Sequence, residues 1–252
     1  MKRLEDKICI ITGADSEIGK STARAFSEEG ARLMLVGINH EHLNDLKTEI
    51  SKNGSQVETF ALDVALGDSI NHIFEKTASL LGNVSVLVNI VLPFFHDGGE
   101  DVHTEKWDED TARDARICFL CCRSAFAAMS GTGGGSIVNI APATALKGLS
   151  GGNTMASVSG GIFAMTQTLA IDYAPSDVRV NAISLGVFKT DSYRDLREKR
   201  ESEFEKKLLR HIPLGRLGKT DEIAKAAVFL GCSDSSYITG AMLPVDGGYS
   251  IG

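Results

Sequence analysis

The chain has 252 residues, 43% of them hydrophobic, which is enough for one well-buried core. Its net charge of −7 offers no basic face to phosphates, so nucleic acid is not an expected partner, and no apolar run reaches the roughly 18 residues of a membrane span. The five cysteines, an odd number set mostly in apolar runs, are expected as reduced, buried thiols, and residues 1–6 lack the apolar centre of a signal peptide; the expected location is the cytoplasm.

A first β-branched run at 8–11 leads into Thr12-Gly13-Ala14-Asp15-Ser16-Glu17-Ile18-Gly19, followed by helical spacing over 20–29 and a stop at Gly30. A strand at 33–36, a helix at 41–52 ending before Gly54 and a strand at 57–62 come next. Gly82 stops another helix ahead of a strand at 86–88, and helical spacing resumes over 112–129. The loop Gly131-Thr132-Gly133-Gly134-Gly135 precedes a strand at 136–140, a helix at 160–173 and a strand at 178–183. The charged stretch 191–207 reads as an exposed helical excursion, a flap around 190–212, before apolar helical positions at Ile223, Ala226, Ala227 and Phe229 and a last strand at 242–245. Strand and helix in regular alternation predict an α/β fold: one Rossmann-type domain over 1–252, with a doubly wound parallel sheet of about seven strands flanked by helices. Cys118, Cys121 and Cys122 lie together, but no second cysteine pair or histidine cluster completes a metal site, so no metal is expected.

Several short motifs, in order, resemble the short-chain dehydrogenase/reductase family across essentially the whole chain. They are Lys7 to Gly13 followed by Ile18-Gly19, then Asp63-Val64, and Arg179-Val180-Asn181-Ala182-Ile183-Ser184. The ending adds Phe229-Leu230, Tyr237-Ile238-Thr239-Gly240 and Val245-Asp246-Gly247-Gly248. The resemblance implies a nicotinamide dinucleotide held at a glycine turn, and a Ser, Tyr and Lys that handle the alcohol proton.

Against that pattern the sequence departs at both sites. The turn keeps Gly13 and Gly19, but Glu17 stands at the middle glycine and Asp15 adds a second carboxylate. A carboxylate about 4 Å from a phosphate charge costs on the order of 4 kcal/mol at an effective dielectric near 20. After the second strand, Gly37-Ile38-Asn39 supplies neither the acid for a ribose diol nor an Arg for a 2′-phosphate, and Asn89-Ile90-Val91-Leu92 places branched side chains after the fourth. Gly13, Glu17, Gly19, Asp63 and Asn89 therefore read as vestiges, with no cofactor expected in this chain. The resemblance sets Pro142 at the Ser, Met155 at the Tyr, Ser159 at the Lys and Asp114 at a further Asn, and all four tyrosines (Tyr173, Tyr193, Tyr237, Tyr249) lie elsewhere.

The expectation from the sequence is thus a catalytically inactive subunit, not an enzyme by itself. It would assemble with and stabilise an active NAD-dependent paralogue in a heterotetramer, with a 3-hydroxyacyl-CoA such as 2-[hydroxy(phenyl)methyl]succinyl-CoA of anaerobic toluene breakdown as the complex's substrate. Two alternatives stand beside it: a cofactor-independent lyase or isomerase using His96, Asp97 and Asp114, and a non-catalytic ligand sensor.

Overall fold

The structure, a computed structural model, describes residues 2–61, 68–93, 103–191, 193–194 and 204–252. Seven parallel strands form one sheet in the order β3-β2-β1-β4-β5-β6-β7. They are β1 (Ile8–Thr12), β2 (Arg32–Gly37), β3 (Val57–Ala61), β4 (Val86–Ile90), β5 (Gly135–Pro142), β6 (Val178–Leu185) and β7 (Met242–Val245). The helices are α1 (Glu17–Glu28), α2 (His40–Ser51), α3 (Asp68–Leu80), α4 (Thr104–Met129), α5 (Asn153–Tyr173), α6 (Phe204–Arg210) and α7 (Thr220–Gly231). The expected Rossmann-type sheet is therefore the observed one.

Strand order reverses between β1 and β4, and the crevice outside the carboxyl ends of these strands is where such sheets bind ligands. Strand side chains alternate between two apolar layers. Ile10, Met34, Leu87, Ile137 and Val180 face α3, α4 and α5, while Ile11, Leu35, Val88, Val138 and Ile183 face α1, α2 and α7. Burial on both faces explains why the strands read as continuous apolar runs rather than alternating ones.

Three of these strands are also joined by buried amides. Thr12 Oγ1 donates to Asn89 Oδ1 at 3.3 Å, Asn89 Nδ2 to Asn139 Oδ1 at 2.9 Å, and Asn139 Nδ2 to Thr166 Oγ1 of α5 at 3.0 Å. Asn89 and Asn139 are 1% and 0% exposed, so each lost partner would leave a polar group stranded in the core. The β6 motif works in the same way. The Arg179 guanidinium donates to the carbonyls of Leu230, Cys232 and Ile238, while Asn181 donates to Ile238 O and accepts from Ala241 N. The conspicuous Arg179 and Asn181 pattern thus ties β6 to the end of α7 and to the turn before β7.

The helices α4 and α5 begin about two turns earlier than their spacing predicts. α4 starts at Thr104 rather than 112, its polar first turns anchored by the buried Asp110 carboxylate between Lys106 (3.0 Å) and Arg113 (3.1 Å). α5 starts at Asn153 and runs through Gly160-Gly161, whose missing side chains leave no close contact unfilled. In the 190–212 excursion α6 is helical, and residues 192 and 195–203 lie outside the described residues. All five cysteines are free and buried. Among the described residues no helix is long and apolar enough to cross a membrane.

Replacing Asn139 by Leu would strand the Asn89 amide and the Thr166 hydroxyl together. The expected loss is about 2–4 kcal/mol of unfolding free energy, read from urea denaturation.

Candidate active site

The crevice is bounded by the turn after β1, the tips of β2 and β4, the segment after β5 and the first turns of α5. The turn after β1 is built for close approach. Gly13 adopts φ +67°, and a Cβ there would lie 2.9 Å from the Ile90 carbonyl; a Cβ on Gly19 would lie 2.6 Å from Ala14 Cα. Ser16 caps α1, its Oγ accepting from Gly19 N at 3.0 Å.

The two acids of this turn point in different directions. Glu17, in the first turn of α1, accepts a hydrogen bond from the backbone N–H of Asp191, beyond β6. It thereby ties the segment after β6 to the helix N-terminus. Asp15 turns toward the neighbouring strand, where its Oδ2 accepts from Ile38 N at 2.9 Å and from Asn39 N at 2.8 Å. The tip of β2, bare of acid in its own sequence, is occupied by a carboxylate from the turn after β1. Spacing along β2 could not reveal this; the signal was the coincidence of Asp15 with a glycine at position 37.

At the other end, Pro142 closes β5 and is buried, Met155 is half-buried in the first turn of α5, and Ser159 is fully buried one turn on. Asp114 lies on α4 with its carboxylate 13% exposed and held 2.9 Å from Arg113 Nε, so it is committed to an ion pair on its own helix. His96, Asp97 and Asp63 lie outside the described residues. Among the described residues no group of His, Cys, Asp and Glu is placed to hold a metal ion.

Sequence reasoning missed the hydroxyls around these positions. Thr144 in the 3-10 turn after β5, Thr154 and Ser159 on α5, and Ser184 near the end of β6 are all buried, and none finds a hydrogen-bond partner among the described residues. Ser184 lies opposite Ala141 in the sheet register and Thr144 follows Pro142 by two residues, so these two residues flank the end of β5. Leu92 after β4 is 40% exposed, and Leu146 and Leu149 after β5 are 38% and 40% exposed; Leu92 does not close the crevice.

The residues fit a dinucleotide at the glycine turn and at the β2 tip, where the chain comes close without side chains and a half-exposed carboxylate is in place. At the other end of the crevice, positions 142, 155 and 159 carry Pro, Met and Ser. Of the two acids in the turn, Asp15 is turned to the β2 tip and Glu17 stands in the first turn of α1, bound to Asp191 N.

A family profile described as enoyl-(acyl carrier protein) reductase matches residues 13–250. The chain is 35% identical over 255 residues to the uncharacterized oxidoreductase YxbG of Bacillus subtilis (strain 168), covering 98% of this chain and 92% of the relative. It is 34% identical over 250 residues to the 3-oxoacyl-[acyl-carrier-protein] reductase FabG of Thermotoga maritima, covering 99% and 100%. Among solved structures, 7α-hydroxysteroid dehydrogenase complexed with NADH and 7-oxo glycochenodeoxycholic acid is similar with a TM-score of 0.92 and 29% identity, over 98% of this chain and 95% of that one.

These relatives are named as oxidoreductases along the full length, which overturns the expectation of a catalytically inactive subunit supporting an active paralogue. The alternatives of a cofactor-free lyase and of a sensor go with it. A count of missing residues leaves out that the Asp15 carboxylate reaches the tip of β2 and that several hydroxyls between the end of β5 and the end of β6 are buried.

If Glu17 opposes a pyrophosphate, Glu17→Gly should tighten NADH binding by roughly ten- to a hundredfold in isothermal titration, within the electrostatic limit of about a thousandfold. Unchanged or weaker binding would show that the carboxylate stays clear of the phosphate path.

Proposed function

The chain belongs to the short-chain dehydrogenase/reductase family, and on that premise we propose that it is an oxidoreductase interconverting an alcohol and a carbonyl with a nicotinamide dinucleotide. The observation that carries this reading is the glycine turn at the β1/β4 switch point, with Gly13 and Gly19 in close packing and the Asp15 carboxylate beside it at the tip of β2. Full-length similarity to reductases and to an NADH-bound dehydrogenase supports it. When bound, the nicotinamide would supply or accept the hydride.

Within this chain, Gly13 and Gly19 let the turn after β1 pack tightly on Ile90 and Ala14, which would set the start of α1 beside a pyrophosphate, and the exposed Leu92, Leu146 and Leu149 favour a substrate with an apolar body. Thr144, Thr154, Ser159 and Ser184 each keep a buried donor without a protein partner. An unpaired buried hydroxyl costs about 1–3 kcal/mol, so a substrate oxygen that accepts from one of them recovers part of that cost. Hydroxyls orient and hydrogen-bond the oxygen but are poor proton donors near neutral pH. A well-placed general acid or base contributes about a hundred- to ten-thousandfold, so turnover is expected to be slow by about that factor.

The test is a panel of apolar ketones and alcohols with NADH and NAD+, read as nucleotide-linked turnover by the wild type and by the variant Pro142→Ser/Met155→Tyr/Ser159→Lys. The expected result is measurable turnover by the wild type and a gain of about a hundredfold or more in the variant. Wild-type protein that binds neither NADH nor NADPH in titration, and turns over nothing on the panel, would refute the reading.

A further inference from the structure

Resting on that reading, we propose that Asp15, a residue of the turn after β1, selects the cofactor: it accepts the adenosine ribose diol and excludes a 2′-phosphate, so the chain takes NAD(H) and rejects NADP(H). The position after the second strand that would ordinarily be searched for such a residue carries Gly37-Ile38-Asn39, and no Lys or Arg occurs from Gly37 to Leu46. The first cation beyond, Lys47, is paired with Glu58 at 2.8 Å.

The geometry makes Asp15 and Gly37 one unit. A Cβ on Gly37 would lie 2.5 Å from the Asp15 carboxyl carbon, so any side chain there would push the carboxylate away. With glycine, the carboxylate lies flat on the strand tip and is fixed by two backbone donors, Ile38 N and Asn39 N. Both bonds fall on Oδ2. Among the described residues Oδ1 accepts none, and Asp15 is only half-buried, so this oxygen remains able to accept from a vicinal diol.

The same two amides open the segment leading into α2, where Asn39 caps the helix by accepting from His42 N at 3.0 Å. Without Asp15 these amides would face a 2′-phosphate as donors. With it they are already satisfied, and the incoming phosphate meets a fixed negative charge instead of an arginine. Selection therefore acts twice, by attraction of the diol and by repulsion of the phosphate.

The experiment is titration of NADH and NADPH into the purified protein, followed by fluorescence or heat, for the wild type, Asp15→Asn and Asp15→Ser. Thermal melting of each protein reports that the fold is kept. The wild type is expected to bind NADH at least about tenfold tighter than NADPH, on the scale of one or two charge-assisted hydrogen bonds. Asp15→Asn, which keeps an oxygen for the amides but loses the charge, should bring the two affinities to within a few-fold. Asp15→Ser, which frees the amides, should favour NADPH. Equal or tighter wild-type binding of NADPH, or a ratio unmoved in both variants, would overturn the role of Asp15 while leaving the oxidoreductase reading in place. A wild type that binds neither nucleotide would overturn that reading and this one with it.

Discussion

The crevice has its shape because three parallel strands cannot slip past one another. Thr12, Asn89 and Asn139 sit side by side in the register of β1, β4 and β5, and their side chains form a single buried run of hydrogen bonds that ends on Thr166 of α5. A slip of one residue would turn these amides into the opposite apolar layer and leave them unpaired. The run crosses the point where strand order reverses, so the interaction that fixes register also fixes the spacing of the glycine turn, the β4 tip and the end of β5.

On this frame the two ends of the crevice follow different logic. Near the turn after β1, the Asp15 carboxylate lies at the tip of the second strand, which has only glycine at position 37. Near α5, the hydroxyls of Thr144, Thr154, Ser159 and Ser184 lie in a dry setting, without partners among the described residues. On the proposed function the first arrangement would serve recognition and the second positioning, because hydroxyls position an oxygen well and move its proton poorly at neutral pH.

The fold was legible because burial on both faces writes β-branched runs directly into the sequence, and because Gly30, Gly54 and Gly82 mark chain reversals at φ +89°, +84° and +110°. Helix starts were less so. Nothing in the polar stretch Glu105 to Asp110 announces that Asp110 is buried between two cations, and Gly160-Gly161 resembles a boundary although tertiary packing carries α5 through it. At the site, the sequence showed which residue types stand at Glu17, Pro142, Met155 and Ser159, but not which side chains lie beside them. Asp15 gains its meaning only from lying across the sheet from Gly37, twenty-odd residues away in sequence, and the hydroxyls theirs only from being buried without partners. Counting absent residues weighed loss without compensation, and that led the sequence reading to an inactive subunit.

The cysteines carry a separate consequence. Cys118 and Cys122 lie 3.5 Å from Asn139 Oδ1 beneath α4, and burial drives the thiols of Cys9 and Cys121 far above their ordinary range. Enclosed thiols react with alkylating reagents only when the elements above them part. The rate at which Cys118, Cys121 and Cys122 become labelled is therefore a built-in clock for the opening of α4 from the sheet, timing the same interface that holds the strands in register.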